Sequence, residues 1–243
     1  QGVLGNAQGD GQNSLHTTIT VGALGQGGEA ADYSGYGANL LVAAPAASRT
    51  TDVTGPGGYA AGPWTNDFGG TSAAAAVTAG VVALMLEAAP GLGFRDVQEI
   101  LAQSAAQTGS PYGGPAQGFE TGPWQSAGAG SWNGGGMSHS PGYGFGRVDA
   151  LAAVRLAEHW LEMRGGAATA ATERIAEAAR TAPRPIRDFD SAELALAVDA
   201  DLVVEHLYVT VDLQHDFAGD LAITLLAPDG TAVALSAGDG GGI

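Results

Sequence analysis

The sequence contains no cysteine and no lysine, and each absence excludes a class of function. Without cysteine there can be no disulfide, no thiolate metal site and no cysteine nucleophile. All nine basic residues are arginines, against 25 acidic residues, and the formal charge is −16. Because this charge repels phosphate groups, we expect no nucleic-acid partner and no attachment to an anionic membrane surface.

Charged residues are scarce as a whole, since they make up 14% of the chain while hydrophobic residues make up 45%. That balance excludes a wholly disordered protein. A length of 243 residues is enough for one or two domains with buried cores. The 40 glycines follow no Gly-X-Y period and indicate many tight turns.

One uncharged stretch, residues 68–86, is long enough to suggest a membrane span. It includes glycines and hydroxyl residues, and many of its apolar residues are alanines, so it favours a buried helix in a soluble core. The membrane interpretation remains the alternative. No basic leader with an apolar core follows Gln1, so no signal peptide is visible.

Residues 1–165 combine short apolar runs with helical patterns, which predicts an α/β domain with a mostly parallel sheet flanked by helices. The strand candidates are short and bounded by Gly, Asp or Pro, whereas the first helix candidate is apolar all round and the second is amphipathic. The predicted strands are Val3–Gly5, Thr18–Ala23 and Asn39–Ala44, and the predicted helices are Ser72–Ala88, Phe94–Ala105 and Asp149–Met163.

The remaining chain changes character twice. Residues 166–198 are rich in Ala, Arg and Glu with two prolines, which predicts a linker with some helical tendency. Residues 199–243 show period-two alternation and a Pro-Asp-Gly turn, which predicts an antiparallel sandwich. Because the pattern supplies only three strands (Leu207–Leu213, Leu221–Leu226 and Thr231–Leu235), we expect this sandwich to be truncated.

The segment Gly69-Gly70-Thr71-Ser72 directly precedes the apolar helix pattern. A serine at a helix start lies near unpaired N–H groups and the positive end of the helix dipole, which favour a developing oxyanion. Ser72 is therefore a candidate nucleophile. An ordinary serine N-cap explains the same residue, and from spacing alone it is the more frequent case.

This segment resembles the active-site serine block of subtilisin-like peptidases in its kexin/furin form, G-G-T-S-A-A-A-P. Three further blocks resemble the same family in the same order. These are the segment following the serine helix (LMLEAAPGLGFRDVQEILAQSA), the segment Tyr143 to Ala150 (YGFGRVDA), and a P-domain-like segment containing Glu205 to Val211, Gly219 to Leu221 and Ala227 to Thr231.

The resemblance implies a subtilisin-like fold followed by part of a jelly-roll-like P domain. It also implies a serine endopeptidase acting on polypeptides, secreted or at the cell surface. On this resemblance Ser72 is the acylating nucleophile, and Asn6, in the element Gly5-Asn6, is the oxyanion donor. A turn asparagine is the alternative interpretation of Asn6.

The catalytic Asp and His motifs of the family, D-[ST]-G and H-G-T, do not occur in this sequence. None of the five histidines stands in such a motif, so none is assigned as the general base. We therefore expect a fragment that needs a missing N-terminal half of the same polypeptide and is inactive alone. A non-catalytic secreted or surface binding protein with the same fold is the alternative function.

Other positions depart from the family pattern and bear on calcium. Ala76 stands where the family has proline, and Gly35 stands where it has an acidic residue. Asp10 is the one acidic candidate after Asn6. Structural calcium remains possible, with no cofactor in catalysis, and one further set of acids in the P-domain-like part was considered as a site: Asp212, Asp216 and Asp220.

Overall fold

The structure is a computed structural model that describes residues 5–126, 137–187 and 189–238. Regular elements alternate up to residue 164 and become sparse afterwards. In chain order they are β1 (Thr20–Leu24), β2 (Leu40–Pro45), β3 (Ala47–Thr51), β4 (Trp64–Gly69), α1 (Thr71–Ala88), α2 (Phe94–Ser104), β5 (Gln125–Ser126), β6 (Ser138–His139), α3 (Ala150–Arg164), β7 (Ala222–Leu226) and β8 (Ala232–Ala237).

The centre of the first part is the parallel pair of β1 and β2, in which Val21 pairs with Val42 and Ala23 with Ala44. Both strands are apolar and almost fully buried, as strands covered on both faces should be. α1 packs against both strands and α2 against β2, and α3 packs against α1 and α2. Both strands were predicted within two residues of their observed ends. Val3 and Leu4 of the predicted strand Val3–Gly5 lie outside the described residues.

The main core lies between β2 and the three helices. Its largest members are Val42, Met85, Ile100, Leu101 and Trp160, all of them at most 2% exposed. The amphipathic pattern of α2 accounts for its contribution, since Val97, Ile100 and Leu101 lie on one face as predicted. The predicted bounds of α2 and α3 are confirmed to within one residue.

The prediction that α1 is buried all round is wrong. Its buried residues form one stripe along the helix, although α3 and the four strands β1 to β4 all contact α1. The exposed side includes Leu84 and Leu86, and the buried residues are Ala73, Ala74, Thr78, Val81 and Met85. In the described ranges α1 is also the single helix that satisfies the length and hydropathy expected of a membrane span, a weak criterion that core helices meet as well.

The β3–β4 hairpin was not predicted from the sequence. Ala47 pairs with Gly69 and Thr51 with Trp64, so β4 ends two residues before α1 begins. The two strands are rich in consecutive polar residues, ASRTT in β3 and WTNDFG in β4, and therefore lack the apolar signal that identified β1 and β2. This hairpin delivers the chain to the helix that carries Ser72.

The last part of the chain is mostly extended and exposed. Among the described residues of 166–198, the predicted helical tendency amounts to one 3-10 turn, Ala170–Thr172. The predicted strand Leu207–Leu213 is wrong, because this segment has no neighbouring strand to accept its backbone hydrogen bonds. The other two predicted strands are confirmed as β7 and β8, an antiparallel pair joined by the Pro228-Asp229-Gly230 turn.

Candidate active site

Ser72 is the second residue of α1, and the backbone that precedes it turns through a glycine. Gly70 has φ 84° and ψ −178°, a conformation that side-chain-bearing residues rarely adopt. β4 ends at Gly69, so strand, glycine turn and helix follow without a spacer. Ser72 is consequently presented at the exposed end of α1.

The structure excludes the alternative that Ser72 is an ordinary N-cap. Gly70 occupies the N-cap position, and its carbonyl accepts hydrogen bonds from Ala73 N at 3.0 Å and Ala74 N at 3.3 Å. No side chain caps the helix, and within the described ranges the Ser72 hydroxyl has no hydrogen-bond partner. Its oxygen therefore stands beside helix N–H groups without serving the helix itself.

Asn6 lies on a separate turn that is fastened to the segment before β2. Ala7 N donates to Tyr36 O at 2.7 Å, and Tyr36 N donates to Gly5 O at 3.1 Å. Asn6 Oδ1 accepts from Gln8 N at 3.0 Å and thereby caps the 3-10 turn Ala7–Gly9. Because its oxygen is engaged in this way, the side-chain NH₂ group is left as a donor.

That NH₂ group donates to Leu235 O of β8 at 3.1 Å. No hydrogen bond joins Asn6 to Ser72 among the residues that the structure describes. The two candidate residues are thus each held by their own element, and the backbone carbonyl of Leu235 engages one hydrogen of the NH₂ group.

Two residues that sequence reasoning missed support the Asn6 turn. A Cβ on Gly37 would come within 2.6 Å of Asn39 Oδ1 and 3.1 Å of Asn6 Oδ1, so there is no room for a side chain there. The Gln8 side chain accepts from Ala38 N at 3.2 Å, which ties the turn to the same segment a second time. Neither residue stands in a motif, and their partners lie about thirty positions away, so no local signal identifies them.

No histidine in the described ranges forms a hydrogen bond to Ser72. His139 donates from Nε2 to Leu40 O at 3.1 Å and packs edge-on against Phe145, and desolvation of its ring lowers its pKa. His159 is exposed on α3. His215 accepts from Phe217 N at 3.1 Å.

The candidate calcium ligands are not assembled into a site. No group of three or more His, Asp or Glu side chains in the described part of the chain is arranged to hold a metal ion. Asp10 instead accepts from Gln12 N at 2.8 Å and Asn13 N at 3.1 Å, which makes it a turn residue. Asp212, Asp216 and Asp220 do not form such a group either.

An open cavity of about 420 Å³ lies apart from both candidate residues, since neither Ser72 nor Asn6 lines it. Its lining includes three aromatic residues, Tyr112, Trp124 and Phe145, and the polar residues Gln103 and Ser138. Desolvation raises the pKa of Tyr112. Nothing in the sequence pointed to this cavity.

Comparison with known proteins gives consistent matches for both parts of the chain. The profile described as "Subtilase family" matches residues 3–144, and the profile described as "Proprotein convertase P-domain" matches residues 204–241. A calcium-dependent protease of Trichormus variabilis is 31% identical over 237 residues, which cover 90% of this chain and 31% of that protein.

Two further proteins extend the comparison. Kexin of Saccharomyces cerevisiae is 28% identical over 235 residues, covering 93% of this chain and 26% of that protein. A serine protease of Aeromonas sobria has a similar structure, with a TM-score of 0.70 and 24% identity, covering 96% of this chain and 44% of that one. The chain therefore spans about a third of the length of the curated relatives it matches.

Proposed function

Since the chain belongs to the Subtilase family, we propose that it is part of a serine endopeptidase in which Ser72 is the nucleophile and Asn6 an oxyanion donor. The fold class supports this, because the α/β arrangement and the P-domain match are both confirmed. The observation that carries the proposal is the position of Ser72. It is exposed at the start of α1, behind a glycine N-cap, with a hydroxyl that no described residue engages.

The chemistry follows from that position. The Ser72 oxygen attacks the peptide carbonyl carbon while a general base takes the hydroxyl proton. The carbonyl oxygen becomes an oxyanion, which the N–H of Ser72 and the NH₂ of Asn6 are suited to stabilise. The intermediate then expels the amine, to which the base returns its proton, and water hydrolyses the acyl-enzyme. One hydrogen of the Asn6 NH₂ group is engaged by the Leu235 carbonyl here, and the second is the donor that the role requires.

The general base is proposed to come from outside these 243 residues. None of the five histidines forms a hydrogen bond to Ser72 in the described chain, and the chain spans about a third of the length of its relatives. We likewise propose the division into a peptidase portion (1–165), a linker (166–198) and a P-domain portion (199–243), with polypeptides as substrates and a secreted or cell-surface location.

The support for calcium comes from the relatives, two of which are named calcium-dependent proteases. We propose that any calcium in the complete protein is structural. The proposed reaction uses side-chain and backbone groups of the protein, and no catalytic cofactor is assigned to it.

A non-catalytic binding protein is the second candidate, and one observation favours it. Ser72 has no base partner among the described residues, which is also what a fold that has lost its triad would show. The two candidates differ in whether Ser72 is activated in the complete protein.

The test is fluorophosphonate labelling of the longest polypeptide that contains residues 1–243. Activated serines react with this probe, so the proposal expects labelling that Ser72→Ala abolishes. Ser191→Ala, at an exposed serine in the linker, is the matched control and should label like the unmodified protein. Absence of labelling in a folded full-length protein would support the binding protein instead.

A further inference from the structure

The segment 205–208 is fastened to the peptidase portion by a compact group of polar contacts. Arg95, in the first turn of α2, donates to both carboxylate oxygens of Glu205, at 2.5 and 2.6 Å. The same guanidinium donates to Thr169 O and Thr172 Oγ1, each at 3.1 Å. A bidentate pair with these additional acceptors has a defined geometry, unlike an isolated surface ion pair.

Beside this ion pair, Gln98 connects two histidines that are far apart in sequence. The Gln98 side chain is buried, and its Nε2 donates to His16 O at 2.7 Å. Its Oε1 lies 3.1 Å from His206 Nε2, which must therefore carry the proton. The two imidazole rings are 5.9 Å apart, centre to centre.

His16 completes the contact from the other side. Its Nδ1 lies 2.8 Å from the Tyr208 hydroxyl, and its Nε2 lies 3.1 Å from Glu173 Oε1. The Tyr208 ring meets the His16 ring edge-on at 5.8 Å. His16 therefore contacts both the linker and the P-domain segment from the loop that precedes β1.

The charges that face the histidines come from every element in the group. They are Arg95, Asp96 and Glu99 on α2, Arg164 on α3, Glu173 in the linker, and Glu205 with Tyr208 on the docked segment. Partial burial and the neighbouring His16 lower the pKa of His206, and Glu205 opposes this shift without reversing it. A second positive charge at His206 would lie beside His16 and Arg95.

The direction of the pH effect follows. A histidine whose pKa is lowered by docking takes up its proton more readily when the segment is released. Docking is therefore strongest above the ordinary histidine pKa and weakens as the pH falls through that value, by up to about tenfold per pH unit. The Arg95–Glu205 pair persists until lower pH, because the guanidinium holds the Glu205 pKa below its ordinary value.

We propose that His206, packed beside His16, is a pH-sensitive latch that holds segment 205–208 against α2 and weakens on mild acidification. The latch links the subtilase portion to the P-domain portion through residues that neither candidate catalytic group touches. It does not depend on the proposed peptidase activity, so its test is independent of that activity.

The test uses spin labels in the 243-residue chain. Because the sequence has no cysteine, Val203→Cys and Glu162→Cys introduce the only two thiols, both at exposed positions outside the latch. Double electron–electron resonance should give one narrow distance at about pH 8 and a broad distribution at about pH 5.5. His206→Gln keeps a hydrogen-bond donor to Gln98 but has no titrating ring, so the distance distribution of this variant should stay narrow at both pH values.

The control and the contrary outcomes are also defined. His159→Gln removes an exposed histidine of α3 and should behave as the parent does. His16→Gln removes the neighbouring imidazole and should shift the broadening to lower pH. The latch would be overturned if the parent gave a narrow distance distribution at both pH values, or a broad one at both. Equal broadening in acid for the parent and His206→Gln would overturn it as well. Far-UV circular dichroism confirms that every variant is folded.

Discussion

Asp96 is fully buried at the start of α2 and accepts three hydrogen bonds from three different parts of the chain. Oδ1 accepts from Trp160 Nε1 at 2.8 Å, and Oδ2 accepts from Gly93 N at 2.8 Å and Ala168 N at 2.9 Å. A buried carboxylate is tolerated when its oxygens are satisfied in this way. One side chain thus joins α2 to α3 and to the beginning of the linker.

Asp96→Ala should lower the free energy of unfolding by about 3 kcal/mol, because it leaves donors without acceptors and one of them, Trp160 Nε1, is buried. Asp149→Ala is the matched control. It removes the cap of α3, where Asp149 Oδ1 accepts from Ala152 N at 2.9 Å, and should cost about 1 kcal/mol. Urea unfolding measures both values. Equal losses would contradict the role assigned to Asp96.

At the scale of elements, α1 contains one glycine that its geometry requires and one that it does not. Gly70 has a positive φ at the N-cap, whereas Gly80 is exposed in the middle of the helix with open space around its Cα. The same substitution should therefore have opposite effects at the two positions.

Gly80→Ala should raise the free energy of unfolding by about 0.5–1 kcal/mol, since alanine is the better helix former. Gly70→Ala should lower it by about 1 kcal/mol or more, because alanine is strained at this φ. Thermal and urea unfolding give both signs. Stabilisation by Gly70→Ala would show that the strand–glycine–helix turn before Ser72 is not as described.

The predictability of the elements follows their patterns. α2 and α3 were predicted closely because each has an amphipathic repeat, and α3 also begins at the Asp149 cap and ends at Gly165 with φ 73°. The hairpin of β3 and β4 has neither signal. Segment 207–213 has the alternation of a strand, but alternation shows only which side chains share a face and supplies no partner.

At the scale of the whole molecule, folding lowers several pKa values, so that the folded protein loses stability when these groups bind protons in acid. Desolvation lowers the pKa of His139 and His206. Burial raises the pKa of Glu120, but donors from Ser110, Gln117 and Tyr143 outweigh it and hold that pKa below its ordinary value. Glu99 acts in the opposite sense, because burial raises its pKa despite Arg164.

The unfolding free energy should therefore fall between about pH 7.5 and about pH 5.5, because the unfolded chain binds histidine protons that the folded one resists. The Glu120 and Glu205 contributions are lost only at still lower pH. His139→Gln and His206→Gln should each reduce the difference in unfolding free energy between these two pH values, and urea unfolding measures that difference. His159→Gln, at an exposed histidine, should leave this difference unchanged. An equal reduction by His159→Gln would contradict the assignment of the pH dependence to His139 and His206.

The sequence by itself determined the fold class, the helices around the core and the two candidate residues, Ser72 and Asn6. These are local properties: an apolar run, a helical repeat, or a short motif of adjacent residues. They were also sufficient to indicate the family, which the profile match over residues 3–144 confirms.

The tertiary structure decided what distant residues do to one another. It assigned the N-cap of α1 to Gly70 rather than Ser72, exposed one side of α1, and set Gly37 against Asn6. It also placed Tyr208 on His16, residues 192 positions apart. The physical reason is that hydrogen bonds and burial depend on distances in space. The local patterns of a single sequence report only on residues that are close together along the chain.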